Sequence, residues 1–117
     1  MTIHTTNGME LSGSVLSNYF RSLVNMFFKI LPIKEAIQEC GEASLVTYMQ
    51  SLQMELLGCK GLVAAIDNDP LYLSLLSILQ YMIDHPACET SVVRREVFRA
   101  ISICNKLKTR YAEVTNA

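Results

Sequence analysis

Asp84, His85 and Cys88 place a carboxylate, an imidazole and a thiol within one short stretch of chain. That trio has two potential chemistries: ligation of a transition metal, or a thiolate nucleophile activated by a neighbouring base. Each needs more than the trio holds. A metal site takes three or four ligands, and the other histidine, His4, lies in a polar segment far away in sequence. Pro86 follows His85 directly, and a residue before proline is pushed out of the helical conformation, so H-x-x-C reads as a helix end and a turn. Cys40, Cys59, Cys88 and Cys104 stand 19, 29 and 16 residues apart, without the C-x-x-C pair of a zinc knuckle or redox motif. They read as small buried apolar side chains in a reducing compartment. Gly58-Cys-Lys-Gly61 lacks the spacing of a phosphate-binding loop. No catalytic residue, metal ligand or cofactor is expected.

The remaining chemistry is cationic. Residues 90–117 hold six basic and two acidic side chains, against four basic and nine acidic in residues 1–89, although the whole chain carries a net charge of only −1. Arg94, Arg95, Arg99, Lys106, Lys108 and Arg110 are the candidate binding residues, with Arg95, Arg99 and Lys106 close to one helix face. A basic face binds phosphate backbones, anionic ligands or an acidic protein surface, and it is equally the pattern of a solvated face. A helix opening at Ser91 after a turn containing Pro86 also fits a helix-turn-helix, with Arg94 and Arg95 as readers. Against that stand the long turn over 85–89 and the packing demands on the same helix.

Those demands come from two ladders with a strict four-three spacing. The first is Leu45, Met49, Leu52, Leu56, Cys59, Val63 and Ile66; the second is Val93, Val97, Ala100, Cys104, Leu107, Tyr111 and Val114. This period keeps one seam of an α-helix against a partner. A third seam, Leu16, Phe20, Leu23, Phe27 and Ile30, marks an earlier helix with Ser14 as N-cap and Pro32 as its stop. A short helix over 33–39 follows, broken by Cys40 and Gly41. The first ladder then predicts one helix from residue 43 or 44 to 66, its interior Gly58 and Gly61 admitting a close neighbouring backbone. Asp69 and Pro70 supply an N-cap and a first helical position for a helix reaching Asp84, whose polar stripe is Ser74, Ser77, Gln80 and Asp84. Thr90 or Ser91 caps the helix that carries the second ladder. Short connections join antiparallel neighbours. The expected fold is all-α: an antiparallel bundle of four main helices plus one short helix over 14–115, preceded by a flexible polar leader over 1–13.

Composition sets the function class. Half of the 117 residues are apolar, 18% are charged and the mean hydropathy is +0.26, whereas about a quarter of a typical soluble domain is charged. A small chain with that surplus must turn it toward lipid or toward another protein surface. Lipid is disfavoured, because the most apolar stretch, over 71–83, falls short of the roughly 20 residues of a spanning helix. Residues 1–13 lack a basic start and apolar run, so a cytoplasmic location is expected. The expected function is non-catalytic: a homo-oligomeric helical binding or scaffold protein acting on a protein partner, in the manner of viral or mobile-element accessory and inhibitor proteins. Part of the first helix or of the helix reaching Asp84 would lie in the self-interface, and the basic last helix would face outward. The alternative is a nucleic-acid or nucleotide binder using that basic helix.

Overall fold

A computed structural model describes the backbone at residues 3–4 and 10–114. Among these, the chain builds β1 (Ile3–His4), β2 (Glu10–Leu11), α1 (Gly13–Phe28), α2 (Ile30–Glu35), α3 (Ile37–Cys40), α4 (Glu42–Leu62), α5 (Ala64–Asp67), α6 (Pro70–Asp84) and α7 (Thr90–Val114). The expected all-α bundle is the fold. The two strands are antiparallel, pairing Ile3 with Leu11 and His4 with Glu10. The rest of the expected leader, residues 1–2 and 5–9, lies outside the described residues.

Four long helices, α1, α4, α6 and α7, form an up-down-up-down arrangement, read from the order of the contacts along the helix pairs. Ser17 Oγ donates to the Lys108 carbonyl at 3.0 Å, and Phe28 meets Phe98 at the other end, so α1 and α7 run antiparallel. Tyr72 Oη donates to Leu56 O at 2.6 Å while Gln53 meets Gln80, which sets α4 antiparallel to α6. Tyr48 Oη donates to Met26 O at 2.7 Å, tying α4 to α1. The three seams point inward as their spacing requires. Leu16, Phe20, Leu23, Phe27 and Ile30 are buried, as are Leu45, Met49, Leu52 and Leu56, and Val93, Val97, Ala100, Cys104, Leu107 and Tyr111. Cys59 is half-buried, and the side chain of Val114 lies outside the described residues. At the centre the Phe20 ring stacks on Tyr111 at 5.6 Å and meets Tyr72 edge-on at 6.2 Å.

Helix boundaries differ from expectation in several places. The N-cap of α1 is Ser12, whose Oγ accepts from the Val15 amide at 3.2 Å, because Ser12 keeps the extended backbone a cap needs while Ser14 is already in the first turn. Pro32 does not stop that helix; it sits in the first turn of α2, where its missing N–H is not required, and the axis is interrupted upstream at Lys29. The expected 33–39 helix is instead α2 and α3, separated at Ala36, and Gly41 then breaks the chain with φ 84°, a conformation that favours glycine. The 43–66 helix ends at Leu62, because Val63 is extended (φ −117°, ψ 106°). Val63 and Ile66 of the ladder are still buried, carried inward by the break and by α5. A Cβ added at Gly58 or Gly61 would meet nothing within 4 Å. These glycines therefore admit no close backbone; they weaken the last turns of α4, which stops just after Gly61.

The acidic-cap and proline signal at the start of α6 stands as expected: Asp69 Oδ1 accepts from the Leu71 amide at 2.9 Å and Pro70 opens the helix. The exposed stripe Ser74, Ser77, Gln80 and Asp84 is present, widened by the exposed side chains of Leu73 and Tyr81. Helix α7 begins at Thr90, so Thr90 and Ser91 lie in its first turn instead of capping it, and the Glu89 carbonyl accepts its first backbone hydrogen bonds.

Candidate functional site

The six basic residues of α7 do not form one face. Arg94 points to the α2 side, where Nη2 approaches Glu35 Oε1 at 3.5 Å. Lys108 is half-buried on the α1 side, its carbonyl taken by Ser17. Arg110 turns to the start of α6, where Nη1 donates to Asp69 Oδ2. Arg95 and Arg99 flank Glu96, donating to Oε1 at 3.2 Å and to Oε2 at 2.8 Å. Lys106 lies along a shallow groove on α7 with Phe98, Ile101, Ser102, Asn105 and Thr109. Among the described residues, Lys106 and Lys108 make no ion pair.

Sequence spacing placed the cations correctly on one helix and missed the carboxylates that hold them. Asp69 was legible as a cap, but its second role depends on Arg110 and Tyr111, more than forty residues away. The Asp69 carboxyl is nearly buried, which by itself would push its pKa up. The Arg110 guanidinium, the Leu71 amide and the Tyr111 hydroxyl together outweigh burial and hold it below the usual carboxylate range. Glu96 is buried between α6 and α7, and its two oxygens fix two guanidiniums at the rim of a cleft lined by Ser77, Ile78 and Tyr81 of α6. The i,i+3 spacing of Glu96 and Arg99 was the available signal.

Helices α6 and α7 run antiparallel, since Asp69 meets Arg110 while Tyr81 lines a cleft with Arg95. This is a helical hairpin, and it lacks the steep crossing by which a helix-turn-helix presents its second helix. Arg94 and Arg95, the expected readers, each face a carboxylate of their own chain.

His85 caps the end of α6. Its Nδ1 lies 2.9 Å from the Tyr81 carbonyl, which can only accept, and its ring stacks on Tyr81 at 4.3 Å. Cys88 is half-buried in the following turn, its amide donating to the His85 carbonyl at 3.1 Å. Among the described residues, no three His, Cys, Asp or Glu side chains come together as a metal-ligand group. Burial pushes the Cys59 thiol up and the Cys104 thiol up to about 12, so neither supplies thiolate near neutral pH. Cys59 adjoins Tyr19 and Tyr72 in the core, where burial raises both phenols far above their ordinary value. The buried Tyr19 hydroxyl makes no hydrogen bond among the described residues.

One further polar side chain is buried. Lys34 of α2 donates from Nζ to the Pro86 carbonyl at 2.7 Å, pinning the α6–α7 turn to the α2 segment. No helix among the described residues is long and apolar enough to cross a membrane. Compared with protein-family models, curated proteins and solved structures, the chain matches none.

Proposed function

We propose that this chain is a non-catalytic helical binding or scaffold protein that self-associates and acts by docking on another protein. The observation that carries the reading is apolar surface left uncovered on all four long helices after the core is full. Val15 and Phe28 on α1, Met54 and Leu57 on α4, Leu73 and Tyr81 on α6, and Phe98 on α7 are large and exposed. Phe28 and Phe98 pair edge-to-face at 5.8 Å across the α1–α7 seam, forming an aromatic patch at the surface. Singly exposed apolar side chains are ordinary on a protein surface, and it is the paired Phe28 and Phe98 rings that supply the patch such a docking reading needs. The buried, high-pKa thiols and the capping role of His85 support a non-catalytic reading. The role of an accessory or inhibitor protein, viral or mobile-element in type, belongs to the same proposal, and a cytoplasmic setting goes with it. Size-exclusion chromatography with light scattering tests self-association: a species of at least twice 13.1 kDa is expected, and a clean monomer at micromolar concentration overturns it.

The alternative reading is nucleic-acid or nucleotide binding through α7. Lys106 and Lys108 favour it, because they carry no carboxylate partner among the described residues. Its mark is affinity that falls steeply with salt. Failure of DNA, RNA and nucleotides to bind at low salt removes it.

A further inference from the structure

We infer that the cleft between α6 and α7 is a docking site for a carboxylate carried by an acidic segment of a protein partner. The cleft has a volume of about 320 Å³ and is lined by Ser77, Ile78, Tyr81, Arg95, Glu96 and Arg99. It has the organisation of a binding site. The Glu96 side chain is only 6% exposed, and each of its oxygens holds one guanidinium, Arg95 through Nε and Arg99 through Nη1. The guanidiniums themselves stay open to solvent, at 64% and 61% exposure. An arginine has five N–H donors, so this arrangement fixes two forks while leaving most of their donors unspent. Ser77 and Tyr81, both exposed, add hydroxyls that make no side-chain hydrogen bond among the described residues. Preorganised guanidinium forks match a carboxylate in the bidentate geometry.

Charge selects the ligand. Two guanidiniums and one carboxylate leave the cleft at +1, and one incoming carboxylate brings it to zero. A phosphate monoester, at about −1.5 to −2, overshoots that balance against Glu96 beneath it. A nucleic-acid backbone needs cations in a row, and along α7 only Lys106 adds an unpaired cation on the face of Arg95 and Arg99 among the described residues, since Arg110 and Arg94 are engaged by Asp69 and Glu35. An acidic protein segment is therefore the ligand class the cleft fits. This inference rests on the reading of α7 as an outward docking face.

The test is fluorescence anisotropy with a labelled octaglutamate peptide at low salt. A neutral peptide of equal length bearing one phosphoserine and a single-stranded oligonucleotide form the comparison arms. Octaglutamate is expected to bind best. Arg95→Gln should weaken it about tenfold, the loss of one charge-assisted contact, while Lys106→Gln, with the same charge change outside the cleft, should weaken it about twofold or less. Ser77→Glu, at an exposed position, should abolish it by filling the cleft with a tethered carboxylate, and this variant serves if a change at Arg95 disturbs folding. No octaglutamate binding, equal losses for Arg95→Gln and Lys106→Gln, or tighter binding of the phosphopeptide or oligonucleotide overturns the inference. Light scattering on the same samples keeps the two claims apart. A chain that self-associates and ignores the peptide loses only the cleft; a monomer with Arg95-dependent binding loses only self-association.

Discussion

Asp69 joins three elements through one carboxylate, which makes it the most informative residue to remove. It caps α6 through the Leu71 amide, accepts from Arg110 and accepts from the Tyr111 hydroxyl at 3.1 Å. Losing an N-cap of this kind costs about 1 kcal/mol. Losing the Tyr111 hydrogen bond costs about 1 kcal/mol more. The Arg110 ion pair adds only about 0.5 kcal/mol, because the arginine is 49% exposed and screened by water. Asp69→Ala should therefore destabilise the chain by about 2–3 kcal/mol. For a domain of this size that lowers Tm by roughly 8–12 °C. Asp69→Asn keeps the Oδ1 cap but loses the ion pair and the acceptor for the Tyr111 hydroxyl, so about 1.5 kcal/mol is expected. The two variants also differ from the parent in pH dependence. The folded carboxyl lies below its unfolded value, so its contribution is present above about pH 4 and is lost as pH falls through the lower folded value. Urea unfolding followed by circular dichroism between pH 7 and pH 3 reads both effects. An Asp69→Ala cost under about 0.5 kcal/mol, or a gap between parent and Asp69→Asn that does not narrow on acidification, refutes the reasoning.

Three further predictions follow from the core and the helix ends. Phe20→Ala should cost about 3–5 kcal/mol in urea unfolding, since the ring is fully buried against Tyr19, Tyr72 and Tyr111; a loss below about 1 kcal/mol would contradict its central position. Gly58→Ala and Gly61→Ala should each stabilise by about 0.5–1 kcal/mol, because a methyl group there meets nothing within 4 Å, and destabilisation would mean the glycines do admit a close neighbour. Thiol titration should find Cys40 reacting first and Cys104 last, with Cys59 slow, in the order of exposure and of the burial that raises the two core thiols; early reaction of Cys104 would contradict the packing of α7.

The packing was legible because excluding water from one side of a helix imposes a period, and that period survives in sequence. Leu16 through Ile30 and Val93 through Tyr111 fall inward where their spacing puts them. Interruptions within a seam were not legible. Val63 and Ile66 hold their ladder positions and are buried, yet a break separates them from α4, because burial at those positions does not require one continuous helix. Pro32 marked the right neighbourhood and the wrong residue, since a proline disturbs the turn before it and is welcome in the turn after. The electrostatics of α7 were half legible. Local spacing shows Arg95, Glu96 and Arg99 together, but Arg110 finds Asp69 and Arg94 finds Glu35 only through the tertiary fold. What read as one basic face is therefore a cleft with two fixed guanidiniums, two engaged arginines and two lysines that have no carboxylate partner among the described residues.

The exposed apolar side chains on α1, α4, α6 and α7 are the basis of the binding and scaffold reading, so their coverage by a second copy is the point to measure. Sedimentation equilibrium of the full chain at micromolar concentration reads it directly. The account predicts a mass of at least twice 13.1 kDa that falls toward 13.1 kDa when Phe28 and Phe98 are both replaced by serine with the helical circular dichroism retained. A parent chain that sediments as a 13.1 kDa monomer throughout contradicts it.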